Sequence, residues 1–235
     1  FSIFSFLNQN PNNYKLKKIY LTASGGPFLG KNYSTLNHVS FKSAITHPKW
    51  KMGYKNSIDS ATLVNKCLEI IETHYLFNIP YKNIDVFIHP QSLIHSVLEY
   101  ENYLSNFIYF QNNMDIPIIN LLNSKNNYLN FDINKFNLNK KFSLDFMSVD
   151  KDQFPIYSYF KQLDKTNPHN LIKFNVANEF AVNLYKNKKI LYTDIYKIIK
   201  KIGSFKLYSS LKNIKDIIIY HEKLEKYITS KFYKN

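Results

Sequence analysis

Two polar segments combine residue types that could bind an anion and a hard divalent cation. Ser24–Gly26 follows an apolar stretch, and adjacent glycines let backbone N–H groups point into a concavity that suits phosphate. Further along, Ser60 precedes Asn65, Lys66 and Glu69, whose i, i+1 and i+4 spacing puts all three on one side of a helix. We expect this helix to begin near Ser60, so that its N-terminus attracts an anion while Glu69 offers a carboxylate to Mg²⁺ or Mn²⁺.

Both segments also have a purely structural interpretation. The glycines can simply make a tight turn that Pro27 closes, and Asn65, Lys66 and Glu69 can form the solvated face of an amphipathic helix. Residue types and spacing alone leave both alternatives open.

A third segment, HPKWKMG, has the composition of a loop that closes over a substrate. It places His47, Trp50 and Met52 ahead of Gly53, in a stretch with little helix or strand character. Large side chains on such a loop can exclude water from a bound molecule. Alternatively, Trp50 and Met52 fill the core.

Two further histidines, His89 and His95, flank a turn near predicted strand ends, where side chains often reach a site. Single histidines are more often structural. Because neither has the neighbouring cysteines or the histidine spacing of a zinc site, structural zinc is not expected.

The elements that would position these residues form a mixed α+β domain. Lys17–Ala23 and Asn83–His89 read as strands, and Ile94–Tyr100 with Tyr103–Phe110 reads as a hairpin. One helix is expected from about Ser60 to Tyr75. We assign residues 1–119 to this catalytic α/β domain, with its hairpin-containing sheet.

The remainder is predicted to be a connecting arm over residues 120–153 and a C-terminal helical bundle over residues 154–235. The arm is rich in Asn and Lys and has no sustained periodicity. In the last helix Asn213 serves as N-cap, and one apolar face contains Ile217, Leu224, Ile228 and Phe232. The predicted helices of the bundle are Pro155–Leu163, Phe174–Tyr185, Asp194–Ile202 and Ile214–Phe232.

The composition is basic, with a net charge of +14 over 235 residues. All 31 basic residues are Lys, however, and Arg is the residue that forks onto phosphate and guanine. Asn, Ile, Phe and Tyr are also enriched and share A/T-rich codons with Lys, so the charge indicates codon bias more than a nucleic-acid partner. No apolar run approaches the length of a membrane span. The single Cys67 suits a reducing compartment.

Several motifs in order resemble the 1-deoxy-D-xylulose 5-phosphate reductoisomerase family of the non-mevalonate isoprenoid pathway. They are LTASGGPF, HPKWKMG, IDSATLVNKCLEIIETHYLF, IHPQSLIHS and NMDIPI, followed by NVANEFAV and YTDI in the C-terminal part. The resemblance implies a metal-dependent rearrangement of a ketose phosphate, followed by NADPH reduction to 2-C-methyl-D-erythritol 4-phosphate.

The resemblance also implies roles for individual residues. Glu69 would ligate Mg²⁺ or Mn²⁺, with His95 as a weaker candidate close to the metal. His47 and Trp50 would belong to the closing loop and act in catalysis with Glu69. The substrate-binding set would be Ser24, His47, Ser60, Asn65, Lys66 and Glu69, and Gly53, Met52 and Met114 would lie against the nicotinamide of NADPH.

Two features of the family pattern are missing from the sequence. Neither the N-terminal NADPH-binding domain nor the Asp-Ser-Glu motif with further metal ligands is found, and the chain begins with Phe1. We therefore expect a fragment of a longer homodimeric enzyme, in the cytoplasm of a bacterium with an A/T-rich genome or in a plastid. By itself it is expected neither to bind NADPH nor to turn over. The alternative is a non-catalytic dimerising relic or a Lys-rich binding protein.

Overall fold

The computed structural model of the protein describes residues 1–9, 15–49, 52–122 and 143–232. Its centre is a five-stranded mixed sheet in the order β4-β3-β1-β2-β5. Strands β1 and β2 are parallel, and the other neighbours are antiparallel. The strands are β1 Leu16–Ala23, β2 Ile84–Ile88, β3 Ile94–Tyr100, β4 Ser105–Tyr109 and β5 Met147–Ser148.

The helices surround this sheet and continue into the C-terminal bundle. They are α1 Ser2–Gln9, α2 Phe41–Ala44, α3 Tyr54–Ala61, α4 Val64–Phe77, α5 Asp115–Leu122, α6 Pro155–Gln162, α7 Pro168–Lys186, α8 Asp194–Gly203 and α9 Ile214–Phe232, with 3₁₀ turns at Tyr33–Leu36 and Tyr81–Asn83. In the part of the chain that the structure describes, no helix is long and apolar enough to cross a membrane.

The mixed α/β class, the hairpin and the C-terminal helices are confirmed. Strand β1 buries Ile19, Leu21 and Ala23 on one face, whereas Tyr20 on the other face stays half-buried. The β3–β4 hairpin brings Ile94 opposite Tyr109 and Glu99 opposite Ser105.

The predicted start of the helix near Ser60 is wrong. Two helices occupy that region, and Ser60 lies in the last turn of α3. The break is at Leu63, which is 1% exposed and has a left-handed φ of 63°. A non-glycine residue pays about 1–2 kcal/mol for that conformation, and the complete burial of the Leu63 side chain offsets the cost.

The apolar face predicted for α9 is correct in part. Asn213 caps the helix, with its Oδ1 accepting from the Asp216 N–H at 3.0 Å. Ile217 is 41% exposed, whereas Tyr220 is fully buried. Tyr220 can enter the core because its hydroxyl donates to the Leu207 carbonyl oxygen at 2.8 Å.

Helix α7 begins at Pro168, earlier than the predicted Phe174. Its start carries a clear local signal that the prediction missed, because Asn167 caps the His169 N–H at 3.1 Å and Pro168 occupies the first helical position.

The predicted arm, residues 120–153, is described only at its two ends. Residues 123–142 lie outside the described residues. Beyond them, β5 pairs with β2 through Phe87 opposite Ser148 and so extends the sheet. The division into domains stays a prediction.

The turn after β1 packs directly against the backbone of α3. Gly26 has a φ of +68°, and a Cβ at this position would lie 2.8 Å from the Ala61 Cα. Gly30 is also left-handed, with a φ of +81°, but has no atom within 4 Å of such a Cβ. Substitution of Gly30 therefore introduces backbone strain alone, whereas substitution of Gly26 introduces the same strain and a steric clash with α3.

We predict that Gly26→Ala destabilises the protein more than Gly30→Ala does. Both changes carry the left-handed penalty of about 1–2 kcal/mol, and Gly26→Ala adds about 1–3 kcal/mol because α3 must move. Urea unfolding of the two variants measures the difference. Equal free energies of unfolding would contradict the close approach of the turn to α3.

Candidate functional site

A pocket of about 400 Å³ opens where the turn after β1 meets α3 and α4. It brings together nine of the ten residues predicted for the site, and His95 with them. Those nine are Ser24, His47, Met52, Gly53, Ser60, Asn65, Lys66, Glu69 and Met114. The tenth, Trp50, lies outside the described residues.

Each wall of the pocket comes from a different part of the chain. Ser24 follows β1, His47 lies in the loop between α2 and α3, and Gly53 is the N-cap of α3. Asn65 lies in the first turn of α4, and its Nδ2 donates to the Asn56 carbonyl oxygen of α3 at 3.0 Å. This bond fixes the angle at which α4 leaves the break at Leu63.

The N-terminal turn that carries Lys66 belongs to helix α4, whereas Ser60 lies in the last turn of α3. Helix α4 begins at Val64, so Asn65 and Lys66 occupy its first turn. The expectation of an anion site at a helix start beside Lys66 therefore moves to α4. Ser60 lines the same pocket from the end of α3.

A hydrogen-bond chain fixes the tautomer of His47. The Lys49 N–H donates to His47 Nδ1 at 3.1 Å, so Nε2 carries the proton and donates to Ser24 Oγ at 2.9 Å. The Gly26 N–H also donates to Ser24 Oγ, at 3.2 Å. The Ser24 hydroxyl thus accepts twice, and its own proton can be donated to an anion. Burial lowers the pKa of His47, which favours this neutral form.

Lys66 and Glu69 form an ion pair on the pocket wall. Lys66 Nζ lies 2.6 Å from both carboxylate oxygens of Glu69. The side chains are 18% and 39% exposed, so each can reach a bound molecule. Lys66 suits an anion and Glu69 suits a hard cation, and in the ion pair the two charges compensate each other.

His95 is a neutral, largely buried group behind this ion pair. Its Nε2 donates to the Phe110 carbonyl oxygen at 2.9 Å, and its ring stacks on Phe110 with centroids 3.5 Å apart. The pKa of His95 is lowered to about 4, chiefly by burial and also by the positive charge of Lys66, against the opposing effect of the Phe110 carbonyl.

His89, in contrast, is a structural residue. It is completely buried, its Nδ1 donates to the Asp145 carbonyl oxygen at 2.8 Å, and its Nε2 accepts from the Leu93 N–H at 3.2 Å. Its ring also stacks on Phe146.

Sequence reasoning missed Ser92, which lines the pocket from the turn between β2 and β3. It is 8% exposed, has a φ of 56°, and its Oγ has no hydrogen-bond partner among the described residues. A polar residue in the turn between two predicted strands was the available signal. The strain and the unpaired hydroxyl both depend on tertiary contacts and could not be read locally.

Behind the pocket, a buried carboxylate ties α3 to the C-terminal bundle. Asp59 is 1% exposed, and its two oxygens accept from Lys55 Nζ at 2.6 Å and from Asn178 Nδ2 of α7 at 2.8 Å. Burial raises the pKa of Asp59, while Lys55 and Asn178 act in the opposite direction. Ser60 is the next residue, so this contact positions its backbone.

Comparison with known proteins gives a consistent set of relatives. Residues 1–77 match the profile described as 1-deoxy-D-xylulose 5-phosphate reductoisomerase C-terminal domain, and residues 111–227 match that described as DXP reductoisomerase C-terminal domain. A 1-deoxy-D-xylulose 5-phosphate reductoisomerase of Wolbachia pipientis is 38% identical over 86% of this chain and 52% of its own length. One from Clostridium perfringens is 38% identical over 98% of this chain and 60% of its own length.

The solved structures that resemble this chain carry the same enzyme name as these relatives. A crystal structure of DOX-P reductoisomerase in complex with NADPH, fosmidomycin and magnesium superposes with a TM-score of 0.82 at 33% identity, covering 92% of this chain and 55% of that one. The Zymomonas mobilis enzyme in complex with NADPH gives 0.83 at 29% identity, over 94% and 57%. The chain thus spans between half and about 60% of the proteins it matches.

The buried state of His95 predicts a pH-dependent loss of stability. With a pKa of about 4 in the folded state against 6.5 when exposed, the unfolded chain takes up the proton first as the pH falls. Stability that is complete above pH 6.5 therefore declines towards pH 4, by about 3 kcal/mol from this group. Urea unfolding across that range measures the decline.

His95→Gln is expected to flatten this decline, because an amide can still donate to Phe110 but does not titrate. His38→Gln removes an exposed histidine and serves as the matched control. If both variants keep the pH dependence of the parent protein, the buried imidazole is not its source.

Proposed function

The chain belongs to the 1-deoxy-D-xylulose 5-phosphate reductoisomerase family, and on that premise we propose that it forms the substrate pocket of such an enzyme. The reaction is a metal-dependent rearrangement of 1-deoxy-D-xylulose 5-phosphate, followed by NADPH reduction to 2-C-methyl-D-erythritol 4-phosphate. One observation carries the proposal. Hydroxyl, amide and ammonium donors converge in a single pocket beside the carboxylate of Glu69.

The phosphate group of the substrate is assigned to the donors around α4. Lys66 supplies the positive charge, and the hydroxyls of Ser24 and Ser60 with the Asn65 amide supply neutral donors. The His47 tautomer keeps the Ser24 proton directed away from His47, because His47 Nε2 is itself the donor in their contact. These groups bind and orient the sugar phosphate, and orientation is a large part of the rate enhancement in a rearrangement.

Glu69 fits one ligand position of a hard divalent cation. Mg²⁺ takes about six oxygen ligands, so substrate oxygens, water or other groups must supply the rest. When bound, the metal polarises the carbonyl and hydroxyl oxygens of the ketose. Glu69 would hold the metal and Lys66 the substrate phosphate, each in addition to or in place of the ion pair that the two side chains make with each other.

The nicotinamide of NADPH is assigned to the rim made by Gly53, Met52 and Met114, all of which line the pocket. Gly53 leaves space for a flat ring, since nothing lies within 4 Å of a Cβ built on it. Only this end of the cofactor fits the residues present, because the sequence contains no Gly-rich dinucleotide fingerprint.

We also propose that the protein forms a homodimer through the edge strand β4. Phe107 is 54% exposed and Tyr109 37% exposed on one side of this strand, and Tyr103 and Leu104 in the adjoining turn are more than half exposed. An exposed apolar edge strand is a template for pairing with another chain. A second copy of the same strand would cover these side chains.

A cytoplasmic or plastid location remains a proposal. It is supported by the single, buried Cys67 and by the compositional bias of the sequence.

The function is tested with two single substitutions, one at Lys66 and one at Glu69, each made in the natural gene product that carries these residues. Lys66→Ala should raise KM for the sugar phosphate by about 10- to 100-fold, because a hydrogen bond to a charged group contributes about 1.5–3 kcal/mol. Glu69→Gln should abolish the Mn²⁺-dependent part of turnover while leaving the thermal unfolding midpoint close to that of the parent. NADPH oxidation and calorimetric binding measure these effects.

Lys82→Ala is the control, because Lys82 precedes β2 at the opposite end of the sheet from the pocket. Unchanged KM in Lys66→Ala, or full turnover of Glu69→Gln at saturating Mn²⁺, would refute the assignment. If the parent protein shows no NADPH oxidation at all, the alternative of a non-catalytic relic gains support.

The dimer is tested by placing a charge on the edge strand. Phe107→Lys should convert the protein to a monomer in sedimentation equilibrium, because a buried unpaired lysine opposes strand pairing. Leu76→Lys changes another exposed apolar residue, on α4, and should leave the assembly unchanged. A Phe107→Lys protein that stays dimeric would exclude this edge as the interface.

A further inference from the structure

A group of metal-ligating side chains lies in the C-terminal bundle, outside the pocket described above. It consists of Glu179 on α7 with His221 and Glu225 on α9. One ligand atom from each residue lies within 4.8 Å of the others. In the part of the chain that the structure describes, this is the one set of three such residues close enough to share an ion.

The spacing of the three side chains approaches that of a coordinated ion. His221 Nε2 lies 3.8 Å from Glu179 Oε2, and His221 Nδ1 lies 3.8 Å from Glu225 Oε2. Both distances are too long for hydrogen bonds. The two contacts use different imidazole nitrogens, and the three ligand atoms lie within 4.8 Å of one another. Ligands at about 2.0–2.2 Å from one metal ion are about 3.0–3.6 Å apart, so side-chain rotations must bring both carboxylates towards the same nitrogen.

The helices hold the three groups in this arrangement. His221 and Glu225 are separated by one helical turn, which places them on the same face of α9. Glu179 faces them from α7, and Asn175 Nδ2 donates to its Oε1 at 3.2 Å. Because that bond occupies Oε1, Oε2 is the oxygen nearer to His221. Such supporting hydrogen bonds orient ligands in metal sites.

The charges favour a cation. Among the described residues, the recorded ion pairs of Glu179 and Glu225 involve only His221, although the chain contains 31 lysines. Two carboxylates therefore face one imidazole ring. A divalent ion would compensate both charges.

An adjacent cavity gives room to complete the coordination. It has a volume of about 410 Å³, lies between α7 and α9, and is lined by Glu179 and Glu225 together with Asn183 and Thr229. Waters in this cavity can supply the remaining ligands, since three protein ligands leave at least one position open.

We propose that Glu179, His221 and Glu225 bind a divalent transition-metal ion, of which Zn²⁺ is the probe, and that the ion joins α9 to α7. One imidazole nitrogen and one oxygen from each carboxylate are the protein ligands. Imidazole selects Zn²⁺ and similar ions over Mg²⁺, which prefers oxygen. The site is structural and does not depend on the proposed reaction.

The proposal is tested by titrating the chain with Zn²⁺ alone, using isothermal calorimetry and thermal unfolding. Zn²⁺ should raise the unfolding midpoint, because an ion that binds only the folded state stabilises it. His221→Gln and Glu179→Gln should each weaken this binding by more than about tenfold, since loss of even a supporting group costs about 10- to 100-fold. An excess of Mg²⁺ should not displace the ion.

Two controls separate this site from others. Glu222→Gln makes the same charge change on the exposed side of α9 and should keep the affinity of the parent. Glu69→Gln removes the carboxylate of the substrate pocket and should also keep the Zn²⁺ effect.

Unchanged Zn²⁺ affinity in His221→Gln, absence of Zn²⁺ binding by the parent, or loss of binding in Glu69→Gln alone would overturn the proposal. None of these measurements uses turnover, so failure here and failure of the proposed enzymatic function are distinguishable.

Discussion

The buried carboxylate of Asp59 is the interaction on which the rest of the arrangement depends. An ionised carboxylate in the interior is tolerated only when it is paired, and removing one partner of such a group costs about 3–5 kcal/mol. Asp59 meets this requirement with one group from its own helix, Lys55, and one from the C-terminal bundle, Asn178. The satisfied charge therefore links α3 to α7 and places Ser60 at the edge of the pocket.

Around this link, the pocket is assembled by two close backbone approaches. Gly26 lets the turn after β1 rest on the last turn of α3, where any side chain would collide with Ala61. Leu63 then turns the chain through a left-handed residue, so that α4 starts in a new direction with Asn65 and Lys66 facing the pocket. Both conformations are costly alone, and tertiary packing compensates for them.

The electrostatics of the pocket rely on neutral histidines and one compensated ion pair. Burial keeps His47 and His95 uncharged, which lets His47 act as a donor to Ser24 and keeps positive charge confined to Lys66. Of the net charge of +14, this lysine is the part that the site uses. The ion pair with Glu69 compensates this positive charge within the pocket.

Local sequence patterns determined the secondary-structure class and the identity of most pocket residues. An apolar-rich run indicated β1, alternation indicated β2, and β-branched and aromatic residues indicated the β3–β4 hairpin. The Asn213 cap and the apolar period indicated α9, because these signals act over a few residues. The order of the motifs indicated the family, and the resemblance to that family assigned roles to the candidate residues. Tertiary structure alone decided that Ser60 ends a helix, that Ile217 is exposed while Tyr220 is buried, and that Ser92 lines the pocket. These outcomes depend on partners distant in the chain, such as Asn178 for Asp59 and Leu207 for Tyr220, and no local period or cap encodes such partners.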